Sequence, residues 1–277
     1  MDVCSGSATY QVGDIVAKTD VFNLYKCKKS DSDRELLFQI AATLAQNGLI
    51  YRSAFILAGF KRKAEILEEE YQKVINNPEK SLGFRFGFPE LVESFMSPEQ
   101  DNRRVNILGF QNVFEVGKMV PLINLTQKDQ LRVDTKTSAW IMGKTLKMLD
   151  FVYEHNAVSV GGMGEENILI EPDMHYVVIF DFSRSTIFAD RNVPRSVCQK
   201  EISEAAEAVL DALGRDPEDG SIPQDESIEE DCFNQYIALL QRFAAGDYSD
   251  AAQAHGVFYR FVEANWKGFH PFTTYPL

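Results

Sequence analysis

The sequence of 277 residues contains no long apolar stretch. A helix that crosses a membrane needs about 20 consecutive apolar residues, and no comparable run occurs here, so we expect no membrane span. The N-terminal stretch MDVCSGSATYQVGD is polar and acidic, and it lacks the basic and apolar segments of a secretory signal peptide. Neither membrane insertion nor secretion is therefore expected.

Cysteine and histidine are scarce as well. The four cysteines lie far apart and form no C-x-x-C motif, which argues against a disulfide framework and against a cysteine zinc site. We therefore expect a reducing, cytoplasmic location. The histidines show no spacing typical of metal ligands, which argues against a metalloenzyme.

Positive charge is in short supply. The chain has 28 Lys and Arg residues against 41 Asp and Glu residues, for a net charge of −13. Because nucleic acids are bound through Lys and Arg, no nucleic-acid partner is expected. Residues 201–231 hold twelve carboxylates and a single cation, Arg215. This stretch is either a solvated loop or a docking face for a basic protein partner.

The most informative stretch that is present covers residues 149–182. It predicts the end of a helix, a Gly-rich turn and two short apolar strands, followed by Asp-Phe-Ser. Asn167 opens the first strand and Asp181 follows the second, so two oxygen ligands are expected side by side. Such a pair suits a hard cation such as Mg²⁺ that carries phosphates.

The order of these elements, from a helix ending in Tyr-Glu-His through Glu-Asn-Ile-Leu-Ile to Asp-Phe-Ser, resembles the protein kinase superfamily. The resemblance implies an α+β, bilobal protein-kinase-like fold. Residues 1–115 would form an N-lobe with a small antiparallel sheet, and residues 116–277 a mainly helical C-lobe. It also implies ATP and Mg²⁺ as cofactors, with Asn167 and Asp181 as metal ligands.

Several catalytic residues of the family pattern are absent from this chain. In H-R-D-x-K-x-x-N, the Asp accepts the proton of the substrate hydroxyl and the Lys faces the γ-phosphate. Counted back from Asn167, residues 160–162 are Val-Gly-Gly in place of His-Arg-Asp, and Gly164 replaces the Lys. Glycine has no side chain that accepts a proton or carries charge, so the usual catalytic base is missing.

The glycine loop of the family is altered too. Alternating apolar and polar residues over 10–29 predict a strand pair. Ala17, Thr19 and Phe22 stand at the three positions of the phosphate-binding glycines. Lys18 is expected at the tip of this loop. It either offers the phosphates a positive charge in place of the missing glycine contacts, or it is a solvated lysine in a turn.

The third strand, predicted over residues 35–41, lacks the phosphate-binding lysine of the family. That position holds Gln39 or Ile40, depending on a register that differs by one residue. Neither side chain is cationic. The ion pair that positions the α- and β-phosphates is therefore absent, and any cofactor contact here would come from Gln39.

The remaining patterns complete the expected layout. A helix over 49–77 carries glutamates expected on a solvated face, and a hinge is expected at 111–115. Asp134 is expected to cap a helix that ends at residue 155. Further strands are predicted over 88–95 and 104–110, further helices over 201–213, 233–245 and 249–266, and the aromatic tail 269–277 is expected to pack on the C-lobe.

Three functions remain open from the sequence. The first is a pseudokinase-like regulatory or scaffolding protein with a protein partner and a residual Mg²⁺-nucleotide site. The second is an atypical kinase or nucleotidyl transferase in which Glu165 or Glu166 serves as the base. The third is an interaction protein that binds no nucleotide and uses the acidic stretch 201–231.

Overall fold

The computed structural model describes residues 1–77, 79–111, 115–190, 192–268 and 270–277. The chain divides into two compact units. The sheet unit comprises residues 1–119 together with 180–185, and the helical unit comprises residues 120–179 and 186–277. No helix among the described residues has the length and apolarity that a bilayer crossing requires.

The sheet unit contains an antiparallel sheet, which has six strands in the part of the chain described, in the order β1-β2-β3-β4-β6-β5. The strand pair predicted over 10–29 and the strand predicted over 35–41 are confirmed. The strands are β1 (Asp2–Cys4), β2 (Thr9–Lys18), β3 (Phe22–Lys29), β4 (Glu35–Ala41), β5 (Glu90–Ser97) and β6 (Arg103–Gly109).

The two faces of this sheet pack differently. Because side chains alternate along a strand, Phe38 and Ile40 of β4 point to one face, into an apolar cluster with Tyr10, and Gln39 points to the other. The opposite face carries helix α1 (Asn47–Ile75), whose buried stripe is almost entirely apolar. Alternation in β4 therefore decides which residue faces the helix.

The helical unit contains short strands and helices. Two sheets with the orders β10-β9-β7 and β11-β8 are present among its described residues. The strands are β7 (Val120–Pro121), β8 (Leu131–Val133), β9 (Ile168–Glu171), β10 (Tyr176–Ile179) and β11 (Thr274–Pro276). The helices are α2 (Leu122–Gln127), α3 (Thr135–Asp150), α4 (Arg195–Ala212), α5 (Glu230–Ala244) and α6 (Ala251–Asn265).

The ends of α3 agree with the sequence pattern. The Asp134 carboxylate accepts a hydrogen bond of 2.7 Å from the Thr137 backbone N–H, which confirms the predicted N-cap. A π-helical turn over Phe151–His155 continues the helix. The aromatic tail packs on this unit as expected, because β11 pairs antiparallel with β8.

The acidic stretch 201–231 is not one surface, and this part of the sequence interpretation is wrong for two residues. Glu201 and Asp225 are buried. The Asp225 carboxylate accepts hydrogen bonds from the backbone N–H of Thr135 at 3.0 Å and from Ser227. These carboxylates are structural, because buried charges persist where hydrogen bonds satisfy them.

Candidate functional site

Asn167 is held by its own loop in the helical unit. A 3₁₀ turn over Glu165–Asn167 leads directly into β9. The Asn167 side chain is buried, and its Nδ2 donates to the Gly162 carbonyl at 3.0 Å. The amide is therefore fixed in one orientation by the glycine-rich segment that precedes it.

Helix α4 anchors this loop through two carboxylates. Glu201 accepts hydrogen bonds from the backbone N–H groups of Val160 at 3.0 Å and Gly161 at 2.7 Å, and from the Tyr153 hydroxyl at 2.8 Å. Glu204, one turn further on, accepts from the Met163 N–H at 3.0 Å. Four donors of the region before Asn167 are thus bound by one helix.

Burial raises the pKa of the Glu201 carboxyl, and the hydrogen bonds from Gly161, Val160 and Tyr153 oppose that shift. Sequence reasoning missed this role because Glu201 was counted with the acidic stretch. A signal was present, since Glu201 shares a helical face with the buried Ala205 and Ala208 at spacings of four and seven.

The positions of the family's catalytic Asp and Lys contain no matching chemistry. A Cβ built on Gly162 would meet no described atom within 4 Å. A Cβ built on Gly164 would lie 2.9 Å from the carboxylate carbon of Glu166. The space beside Gly164, where the family pattern has a cation, is therefore occupied by a carboxylate.

Glu165 lies against helices α2 and α4 of the same unit. Its Oε2 accepts from the Thr126 hydroxyl at 3.4 Å, and its buried Oε1 has no hydrogen-bond partner among the described residues. Burial raises the pKa of the Glu165 carboxyl to about 7, and the neighbouring Asp211 carboxylate adds to this shift. The side chain is thus part protonated near neutral pH.

In the sheet unit, the turn between β2 and β3 is closed by its own hydrogen bonds. The Thr19 hydroxyl oxygen accepts from the backbone N–H groups of Val21 and Phe22, each at 3.1 Å. The Thr19 N–H donates to the Phe22 carbonyl at 2.9 Å. Backbone donors that a kinase glycine loop would offer to phosphates are therefore bound internally.

Lys18 is exposed and ends strand β2, where it pairs with Asn23. The expectation that it lies at the loop tip is wrong, because strand β2 extends through Lys18 and the turn covers residues 19–21. The exposed residue in the turn is Asp20, which forms an ion pair with Arg184. An acidic side chain thus occupies the turn between the two strands.

Gln39 faces α1, whereas Ile40 lies in the apolar cluster on the opposite face. The Gln39 side chain is fully buried, and its Oε1 accepts from Asn106 Nδ2 at 3.1 Å. The same Nδ2 donates to the Ile50 carbonyl of α1 at 3.0 Å. The residue on the helix-facing side of β4 is therefore a neutral amide bonded within the unit.

Helix α1 presents no glutamate among its buried residues. Glu65, Glu69 and Glu70 are exposed, which agrees with the expected solvated face. Glu68 is engaged elsewhere, because its carboxylate accepts from the Ser81 hydroxyl at 2.9 Å and from a backbone N–H of the following segment.

The Asp-Phe-Ser segment is anchored in the sheet unit. Asp181 accepts from Ser183 through both oxygens, from the backbone N–H at 2.9 Å and from the hydroxyl at 3.0 Å. The Phe182 N–H donates to the Ser53 hydroxyl oxygen at 3.3 Å, and the Phe182 ring packs edge-on against Phe60. Ser183, which stands in place of the family's glycine, thus binds the proposed metal ligand.

The two expected Mg²⁺ ligands belong to different units, Asn167 to the helical unit and Asp181 to the sheet unit. Within the described ranges, no group of three or more His, Cys, Asp or Glu side chains is arranged to hold a metal ion. The Asn167–Asp181 pair stays a prediction. Residues 112–114 of the expected hinge lie outside the described residues.

Comparison with solved structures decides the fold. The chain is similar to the structure of vaccinia related kinase 3, with a TM-score of 0.61 over 95% of this chain and 90% of that chain. The chain has a protein-kinase-like fold. The predicted α+β kinase-like fold class is confirmed, at 11% sequence identity to that structure. No protein-family model and no curated protein sequence matches the chain.

Proposed function

We propose that this kinase-like chain is a pseudokinase, a regulatory or scaffolding protein that acts by binding a protein partner and not by phosphoryl transfer. The observation that carries this proposal is the environment of Gln39. A neutral amide fills the helix-facing position of β4 at residue 39, bonds to Asn106, and has a mostly apolar helix face above it. Phosphoryl transfer depends on cations around the phosphates, because charge stabilisation is the main contribution to its catalysis.

Three further features support the same conclusion. The Thr19 hydroxyl binds two backbone donors of the β2–β3 turn, and the exposed residue of that turn, Asp20, is acidic and paired with Arg184. Glu166 places a second negative charge beside Gly164. A turn with its donors bound internally and no free cation among its described residues, and a carboxylate beside Gly164, offer little to an anionic triphosphate, so ATP and Mg²⁺ are expected to bind weakly or not at all.

A transfer assay tests the proposal. The full chain is incubated with γ-labelled ATP and Mg²⁺, alone and with general protein acceptors, beside the Asn167→Ala/Asp181→Ala double variant. We expect equal, background incorporation in both proteins. Incorporation by the wild type that the double variant abolishes would overturn the proposal, provided that circular dichroism shows both proteins folded.

Glu165 favours one second candidate, the atypical transferase. A carboxyl with a pKa of about 7 is suited to accept a proton near neutral pH. Its hydrogen bond to Thr126 directs it towards α2, which disfavours that role. Transfer of the α- or γ-phosphate by the wild type and by Glu166→Gln, but not by Glu165→Gln, would support the transferase function. Absence of transfer by the wild type and by both variants would exclude it.

A further inference from the structure

A groove on the helical unit has a composition unlike the rest of the chain. Two cavities of about 300 Å³ and 560 Å³ lie along α3 and α6, and the second extends to the turn before β10. They share four lining residues, so they form one continuous depression. The shared residues are Ala139, Trp140, Lys144 and Val262.

The lining of this groove is basic and aromatic. Four lysines, three of the four histidines of the chain and both of its tryptophans line the two cavities, and no Asp or Glu occurs among the described lining residues. This is unexpected for a chain with a net charge of −13. The lysine, histidine and aromatic lining residues are Lys136, Lys144, Lys147, Lys267, His175, His255, His270, Trp140, Trp266, Tyr176 and Tyr259.

Lys144 is central to the groove. Its ammonium lies 4.4 Å from the centre of the Tyr176 ring, and no carboxylate forms an ion pair with it within the described part of the chain. Burial, and to a lesser degree the nearby Lys147, lowers the pKa of Lys144 to about 8. A half-buried cation without an acidic partner is costly, so an anion that binds there would offset the cost.

Trp140 adds a second unsatisfied group. Its indole N–H is buried and has no acceptor among the described residues. The ring stacks on His175, with centroids 5.1 Å apart and an interplanar angle of 13°. The groove thus combines a hydrogen-bond donor that lacks an acceptor with flat aromatic walls.

The groove has the length of a short peptide. Lys136, Trp140, Lys144 and Lys147 follow one face of α3 at spacings of four, four and three. At about 1.5 Å per helical residue they span about 16 Å, which is the length of about five residues of extended chain. A single small anion would contact only part of this row.

We propose that the groove formed by α3, α6 and the turn before β10 binds a short acidic peptide segment of a partner protein. Carboxylates of the segment would pair with the lysines, and an apolar or aromatic side chain would lie against Trp140. The assignment uses none of the residues of the candidate nucleotide site, so it stands whether or not the chain transfers phosphoryl groups.

The two tryptophans provide a direct readout, because the chain contains no others. The full chain at low salt is titrated with a short synthetic peptide of glutamates that flank one phenylalanine. A matched peptide with glutamines in place of the glutamates serves as the control ligand. We expect saturable changes in tryptophan fluorescence with the acidic peptide only, weakened by added salt because the pairing is electrostatic.

Variants locate the binding. The double variant Lys144→Gln/Lys147→Gln is expected to bind the acidic peptide with an affinity at least tenfold lower than that of the wild type. Lys128→Gln, which removes one charge from an exposed position of the same unit outside the groove, is expected to leave the affinity unchanged. Equal affinity of the wild type and the double variant, or no binding by the wild type, would overturn the proposal.

Two further outcomes would reassign the groove. Competition by inorganic phosphate at concentrations comparable with the peptide would show a site for a small anion instead. Self-association at low salt that the double variant abolishes would show that a second copy of the chain is the occupant. Either result would overturn the partner-peptide assignment.

Discussion

At the scale of single residues, two half-buried ionisable groups make the stability of the chain depend on pH. Glu165 is held where its charged form is disfavoured, because burial and Asp211 both oppose ionisation. Lys144 is likewise held where its charge is disfavoured. Neither charged form improves stability at neutral pH.

Glu165→Gln tests the first group. The folded-state pKa of about 7 exceeds the ordinary value of 4.5, so the fold loses stability as pH rises from about 4.5 to 7. We expect the variant to be more stable than the wild type by only about 1–2 kcal/mol at pH 8, because water partly screens the half-exposed carboxylate. Urea unfolding at pH 5 should show little difference, and an equal difference at both pH values would contradict the assignment.

Lys144→Met tests the second group. The folded-state pKa of Lys144, about 8, lies below its ordinary value of 10.5. The wild type therefore gains stability as pH rises from about 8 to 10.5, and below pH 8 it bears the full cost of holding the charged lysine. We expect the variant to be more stable by about 1–2 kcal/mol at pH 7. Lys128→Met is the exposed control. Destabilisation of Lys144→Met at pH 7 would show that the lysine has an acidic partner.

At the scale of elements, helix α4 supports the loop that carries Asn167. Glu201→Gln keeps the shape of the side chain but replaces one acceptor oxygen with an NH2 group, which can only donate. The N–H groups of Val160 and Gly161 cannot both be satisfied, so we expect a loss of about 2–4 kcal/mol in unfolding free energy. Glu226→Gln, at an exposed position, should change stability little. Equal effects of the two substitutions in urea unfolding would exclude the anchoring role.

The β2–β3 turn is the second element with a defined test. Thr19→Val removes the oxygen that accepts from Val21 and Phe22, and we expect a loss of about 1 kcal/mol. Thr19→Ser retains the acceptor and should stay close to the wild type. Thermal unfolding distinguishes them, and a valine variant as stable as the serine variant would show that the turn does not depend on this oxygen.

The sequence predicted the elements better than their contacts. The apolar run over residues 35–41 predicted a strand with the same bounds as β4. It could not choose between Gln39 and Ile40, since that choice depends on Asn106, 67 residues away in the chain. Glu201 was missed for the same reason. Its donors lie about 40 residues before it, so local composition placed it on the acidic surface.

At the scale of the whole molecule, the order of elements was sufficient to predict the kinase-like fold. The pattern from a helix through two short strands to Asp-Phe-Ser depends on local spacing, which survives large sequence change. Site chemistry depends on side chains that meet only after folding, so the internal bonding of Thr19 and the position of Glu166 were not predicted. Composition did not predict the groove either, because its lysines come together only in the fold of a chain whose net charge is −13.

The central claim is that this kinase-like chain does not transfer phosphoryl groups, and single-turnover chemistry tests it most directly. The purified chain is held in molar excess over ATP labelled at the α- or γ-phosphate, with Mg²⁺, and the products are resolved over several hours. The account predicts that ATP disappears no faster than in the Asn167→Ala/Asp181→Ala variant. Faster loss of either label in the wild type, with a labelled protein or nucleotide product, would contradict it.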